Sequence, residues 1–164
     1  QSAQASALYE AVQKAARAND LKKVRESAGS VLEQYPRTSY AAMAALVSAK
    51  AHFQGGDLKT AHAQLAWVSE NARDEALQDM ARLRLASVML DEKAYEEALK
   101  VLEIKHGAAF DAQYLATKGD ALVALDRNGD ARGAYASALE KAAAADGGLR
   151  ESIQLRLDAL GAAK

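Results

Sequence analysis

Ala49-Lys50-Ala51-His52-Phe53-Gln54-Gly55-Gly56-Asp57-Leu58-Lys59-Thr60-Ala61 is the stretch on which the fold turns. Its first half has helical spacing. Its centre is two glycines and an aspartate, and its second half starts a new helical pattern. Glycine accepts the left-handed backbone that ends one helix. Aspartate accepts hydrogen bonds from the free amides that start the next. The stretch therefore predicts two helices folded back on each other. Three other segments share the pattern: Asn19-Asp20-Leu21-Lys22-Lys23-Val24, Lys93-Ala94-Tyr95-Glu96-Glu97-Ala98 and Gly129-Asp130-Ala131-Arg132-Gly133-Ala134. Each places alanine or valine four residues after the turn position. The turn positions 20, 57, 94 and 130 are spaced by 37, 37 and 36 residues.

Outward from the turns, apolar residues recur at steps of three and four, which puts them on one helix face. Leu58, Ala61, Leu65 and Val68 form one such set; Tyr95, Ala98, Leu99 and Leu102 form another. Before the turns, Ala49 and Ala86 occupy the same register, with Ala61 and Ala98 as partners across the hairpin. Small residues in facing positions let helix axes approach to the short end of the usual 8–10 Å range. A tetratricopeptide unit is about 34 residues long and needs this small-on-small contact. The spacing predicts an all-α, tetratricopeptide-like right-handed superhelix of about four helical hairpins plus a C-terminal capping helix. The expected helices are Ser2–Arg17, Asp20–Gln34, Ser39–Gln54, Asp57–Glu70, Asp74–Leu90, Tyr95–Ile104, Ala109–Leu125, Asp130–Ala144 and Leu149–Leu160. They make a single domain over 1–164, with units at 2–36, 38–70, 74–105 and 108–145 and the cap at 149–160. Pro36 closes the first unit. The last helix is apolar at 149, 153, 157 and 160, which suits a cap over the end of the stack.

Composition agrees. Half of the 164 residues are hydrophobic but only 5% are aromatic, and alanine makes up much of the difference. One proline leaves helices uninterrupted, and valine, isoleucine and threonine are too sparse for sheet. With 21 basic and 22 acidic residues the formal net charge is −1, which lacks the basic excess of a nucleic-acid binder. The run Lys22, Lys23, Arg25 abuts Glu26 and is read as a solvated helix face. The absence of cysteine excludes disulfides, thiolate metal sites and cysteine nucleophiles. No apolar run approaches the ~20 residues that cross a bilayer. Since the chain begins at Gln1, we expect a segment upstream that includes any anchor.

No catalytic pattern emerges. His52, His62 and His106 lack metalloprotease spacing. His52 and His62 lie on adjacent helices, but ordinary polar positions suit them better than a metal pair. There is no nucleophile elbow, P-loop or dinucleotide glycine motif. Neither a cofactor nor a metal is expected, and an enzyme is not. The first helix of each pair lines the inner face of a repeat superhelix. Register counted from the turns places Tyr9, Gln13, Met43, Leu46, Lys50, Phe53, Leu83 and Ser87 there as partner-binding candidates. Such a face suits an apolar helix or extended peptide. A carboxylate clamp is disfavoured, because Gln13, Lys50, Leu83 and Ser87 supply one cation. Trp67 sits beside core-facing Val68, at an edge where it either packs against the third pair or anchors a partner.

Several stretches in this order resemble the YfgM family, the ancillary subunit of the bacterial SecYEG translocon: Ser6-Ala7-Leu8-Tyr9-Glu10, Gln64-Leu65-Ala66-Trp67-Val68-Ser69-Glu70-Asn71-Ala72, Ala81-Arg82-Leu83-Arg84-Leu85-Ala86, Tyr95-Glu96-Glu97-Ala98-Leu99, Lys118-Gly119-Asp120-Ala121-Leu122 and Leu155-Arg156-Leu157-Asp158-Ala159-Leu160. The resemblance implies a periplasmic repeat domain held at the inner membrane by one N-terminal helix, a segment absent from these residues. It also implies association with the translocon and with PpiD, a membrane-anchored periplasmic chaperone of the prolyl-isomerase type. In the family the glycine of the seventh helix lies about seven residues before the next turn. Here Gly119 precedes Gly129 by ten, which predicts a seventh helix almost one turn longer or a shifted glycine. Against this stands a second binding class, an envelope-assembly tetratricopeptide lipoprotein module, which would need a lipidation cysteine upstream.

Overall fold

The computed structural model describes residues 2–161; the outer bounds of the expected domain, 1 and 164, lie outside them. Among the described residues there are nine α-helices and no strand: α1 Ser2–Arg17, α2 Leu21–Gln34, α3 Ser39–Gln54, α4 Leu58–Asn71, α5 Glu75–Asp91, α6 Tyr95–Leu102, α7 Asp111–Ala124, α8 Asn128–Lys141 and α9 Gly147–Ala159, with a 3-10 turn at Ala108–Phe110 before α7. They group into two compact units, one up to Val88 and the other from Met89 onward. The division falls inside α5.

One turn closes every pair. α1, α3, α5 and α7 each end on a left-handed residue: Asn19 (φ 55°), Gly56 (φ 84°), Lys93 (φ 61°) and Asp126 (φ 59°). The next amide reaches back to the carbonyl five residues earlier. The bonds are Asp20 N–H to Ala15 O at 3.0 Å, and Asp57 to His52, Ala94 to Met89 and Arg127 to Leu122, each at 2.8 Å. This double-bonded end satisfies carbonyls that a helix terminus otherwise leaves unpaired. Asp20 and Asp57 then cap α2 and α4, accepting from the amides of Lys23 and Thr60 at 3.1 Å. Two hydrogen bonds from Thr60, hydroxyl and amide, hold the Asp57 carboxyl below its ordinary range; His52 and Arg25 act in the same direction.

The fourth turn is where sequence and structure part. It closes at Asp126-Arg127, not at Gly129-Asp130, so the repeat spacing there is 33 rather than 36 residues. Asn128, Gly129 and Asp130 form the first turn of α8. There Asp130 pairs with Arg127 at 2.8 Å, and an acid beside the free amides of a helix start is favourable. Accordingly α7 is shorter than α3 and α5, not longer. Gly119 lies seven residues before Asp126, so the expected departure from the family spacing disappears. Elsewhere the observed helix bounds fall within three residues of expectation.

With the turns aligned, the register is consistent. Four residues after each cap position come Val24, Ala61, Ala98 and Ala131, all fully buried. Seven residues before each left-handed residue come Val12, Ala49, Ala86 and Gly119, also buried. Eight after each cap come Ala28, Leu65, Leu102 and Tyr135. The last two sets are matched in size by repeat: Val12 with Ala28, Ala49 with Leu65, Gly119 with Tyr135. A Cβ built on Gly119 would lie 2.4 Å from the Tyr135 ring. The third repeat carries Ala86 and Leu102, as the second carries Ala49 and Leu65. Eleven after each cap are Val31, Val68 and Ala138, all fully buried. The third repeat offers Lys105 at that register, and α6 stops at Leu102, leaving Lys105 exposed. Continuing the helix would bury an ammonium group.

In the first unit, Val12, Ala15, Val24, Ala28, Val31, Ala41 and Ala44 form one cluster across α1, α2 and α3. In the second, α9 packs on α8. Ile153 is fully buried against Ala131, Ala134, Tyr135 and Ala138, with Leu149, Leu157 and Leu160 beside it. These are the four apolar positions that the sequence assigned to the cap. The two helices also finish each other's ends. Arg150 donates to Leu139 O and Ala142 O at 2.9 and 3.2 Å, and Arg132 to Leu160 O at 3.1 Å.

Two stability measurements follow from the register. Gly119→Ala forces its methyl into the Tyr135 ring and should cost about 1–3 kcal/mol in urea unfolding. Paired with Tyr135→Leu, the loss should be smaller than the sum of the two single losses. Lys93→Gly removes a side chain from the left-handed region and should raise stability by ~0.5–1 kcal/mol. An unchanged or lowered urea midpoint would contradict that account of the third turn.

Candidate functional site

The candidate surface lies on α1, α3 and α5 of the first unit. Facing the C-terminal halves of α3 and α5 is a crevice of about 340 Å³, lined by Ala49, Lys50, Phe53, Gln54, Leu65, Arg84, Ser87 and Val88. Leu65 reaches it from α4. A second hollow of about 320 Å³ shares Lys50 and Gln54 with the first and continues onto α1 through Gln13, Ala16 and Arg17. The repeat register explains the alignment. Gln13, Lys50 and Ser87 each lie six residues before the left-handed residue of their turn, so the same helical face carries all three.

Of the eight residues expected on the inner face, the two hollows bring together Gln13, Lys50, Phe53 and Ser87. Phe53 is 38% exposed, unusual for a phenylalanine. Lys50 and Ser87 are exposed. The other four do not line the hollows. Leu46 is 7% exposed and belongs to the core. Tyr9 packs on the first-unit cluster, with its ring 5.8 Å from that of Tyr40, and its hydroxyl accepts from Gln13 Nε2 at 3.0 Å. Met43 and Leu83 are half-buried. Trp67 is half-buried against the same first-unit cluster. It also lines a separate hollow with Pro36, Arg37 and Leu77, away from the crevice residues.

Sequence reasoning missed Arg84 and Arg17. Arg84 is the neighbour of Leu83, the position that register counting selected. A long side chain one step round the helix reaches the same hollow. The expectation of a single inward cation is therefore corrected: three, Arg17, Lys50 and Arg84, line the two hollows.

The histidines occupy three unrelated settings. His52 is fully buried, and its Nδ1 lies 2.8 Å from Ser48 O, which it reaches as a donor. Its Nε2 is buried without a hydrogen-bond partner. His62 is half-buried on α4. His106, in the loop before α7, stacks on Tyr114 at 3.8 Å, and its Nε2 lies 2.9 Å from an Asp111 carboxylate oxygen. Among the described residues, no group of three or more His, Cys, Asp or Glu side chains is placed to hold a metal ion. Among them, too, no helix is long and apolar enough to cross a membrane.

The two hollows present an apolar floor with polar and cationic rims. Residues 1–162 match the family model described as a tetratricopeptide repeat-like domain. Among curated proteins, the chain is similar to the ancillary SecYEG translocon subunit of Neisseria gonorrhoeae (strain ATCC 700825 / FA 1090). The two are 32% identical over 156 residues, covering 95% of this chain and 74% of that protein. A family match over almost the whole chain, joined to 32% identity over 95% of it, shows that the chain belongs to the tetratricopeptide repeat-like family and, within it, to the ancillary SecYEG translocon subunit (YfgM) family.

Proposed function

We propose that this chain is a non-catalytic docking domain of the protein-translocation machinery, working on the periplasmic side of the bacterial inner membrane. An anchor upstream of these residues would hold it there. Its partners on this reading are the SecYEG translocon, a membrane-anchored prolyl-isomerase chaperone, and chains emerging between them. The observation that carries the reading is the crevice around Phe53. A large aromatic side chain stands partly exposed, at 38%, on a helix whose buried residues are mostly alanine. Such a residue still leaves apolar area uncovered, and an interface that covers it gains that area. The relative from Neisseria gonorrhoeae, a translocon subunit by name, supports the same assignment.

The test is capture of detergent-solubilised translocon and of the purified chaperone on the immobilised chain. Phe53→Ala should reduce capture by tenfold or more as an interface anchor (~1.4 kcal/mol or above), whereas Met43→Ala, outside the crevice, should change it little. A stability control separates binding from folding. Partly covered Phe53→Ala should cost about 1–2 kcal/mol in unfolding, less than core Leu46→Ala at about 2–5 kcal/mol. If neither protein is retained by the wild-type chain, or if Phe53→Ala captures both undiminished, the docking assignment fails.

A further inference from the structure

The first-unit trough has a charge pattern that the docking reading leaves unexplained. Arg17, Lys50 and Arg84 line its two hollows, one from each of α1, α3 and α5. All three are exposed. None of them makes an ion pair among the described residues, although other surface cations do: Arg25 with Asp57, Lys118 with Glu103 and Arg127 with Asp130. No acidic residue lines either hollow. Helix α3, which runs between them, carries no acid over its whole length. In a chain whose formal net charge is −1, a trough with three unpaired cations and no acid is a local excess that composition hides. Between the cations lies an apolar floor of Phe53, Leu65 and Val88.

We propose that this trough receives a protein segment in which Asp or Glu side chains flank one large apolar residue. The proposal rests on the docking reading and adds the chemistry of what docks. The apolar side chain would cover Phe53 in the crevice, whose volume of about 340 Å³ has room for a large side chain and part of the segment that carries it. The carboxylates would meet Arg84 and Lys50 at the rim, and Arg17 further along. Exposed rim charges act mainly on encounter rate and partner choice, and their effect is screened by salt. The apolar contact acts on how long the complex lasts. Side-chain carboxylates are the committed source, rather than a chain terminus, because the cations are spread over three helices instead of gathered at one point.

The measurement uses the whole chain and an array of acetylated, amidated peptides. Each has a central Leu or Phe flanked by varied Asp, Glu, Asn and Gln. Control arms replace the acids with Lys, replace the apolar centre with Ser, or carry a free C-terminal carboxylate on an otherwise neutral peptide. The acidic-apolar peptides should bind best, by about tenfold or more over their Asn/Gln counterparts at low salt. That preference should fall as salt rises. The triple variant Arg17→Glu, Lys50→Glu, Arg84→Glu should slow association by about tenfold or more at low salt. Phe53→Ala should instead speed dissociation. Circular dichroism checks that each variant is folded. Equal binding of neutral and acidic peptides, preference for the free-carboxylate or lysine arm, or association indifferent to the triple reversal would overturn the proposal. If the array is silent while translocon or chaperone capture persists and is lost with Phe53→Ala, docking stands and the acidic class falls. If capture is absent as well, both fall together.

Discussion

Close approach of the two helices in the hairpins α1–α2, α3–α4 and α7–α8 is the constraint on which the rest of each unit depends. It is met by a matched pair of sizes rather than by one residue type. Where the first helix carries valine, the second carries alanine; alanine is matched by leucine, and glycine by tyrosine. Alternating large and small across facing positions fills the space without voids or strain. The Gly119–Tyr135 contact is the extreme case, with no room for a single methyl group. The turns serve the same end. A helix that stops on a left-handed residue and bonds back across the stop sends the chain straight into the second helix, with the matched positions already in register.

Because the hairpin interior provides cohesion, the exposed side of each first helix is released from that duty. On α3 the buried residues Ala41, Ala42, Ala44, Ala45, Leu46, Ser48, Ala49 and His52 cover most of the helix, and Lys50 and Phe53 are exposed next to buried Leu46. Small buried residues let the backbone lie close to its neighbours, so the outward residues sit on a rigid base. Preorganised side chains lose less entropy when they meet a partner.

The hairpins, their small-residue register and the apolar seam of the cap were legible because each follows from spacing alone. The fourth turn was not, for a physical reason. Asn128-Gly129-Asp130 has the composition of a turn, yet a helix start tolerates the same residues. The actual turn residue, Asp126, is one of the few types beside glycine that enters the left-handed region. Read with Asp126 as the turn, Gly119 would have fallen into register with Ala49 and Ala86, and the shortened α7 would have been evident. The inner face was half legible. Register counting selected Gln13, Lys50, Phe53 and Ser87, and these four line the hollows. It placed Leu46 there too, although that side chain turns to the core, and it overlooked Arg84, whose length carries it round the helix. Register assigns a backbone direction, and side-chain reach then decides which surface is covered.

The corrected register also distinguishes the two units. The position held by Gln13, Lys50 and Ser87 in the first is held in the second by Asp120. That carboxylate accepts from the Tyr135 hydroxyl at 2.6 Å and from Arg156 of the cap helix at 3.0 Å, and Arg156 also donates to Ser152 on its own helix. Burial and the neighbouring carboxylate push the Tyr135 phenol above its ordinary value, so it stays protonated and donating. The same register that leaves Lys50 and Ser87 exposed is consumed in the second unit, in joining α7 and α8 to α9. The residue that requires glycine at 119 and the one that engages Asp120 are the same, Tyr135. A single large side chain fits the hairpin and ties the inward carboxylate to the cap. That carboxylate is committed to internal contacts, and the open inward positions at this register belong to the first unit.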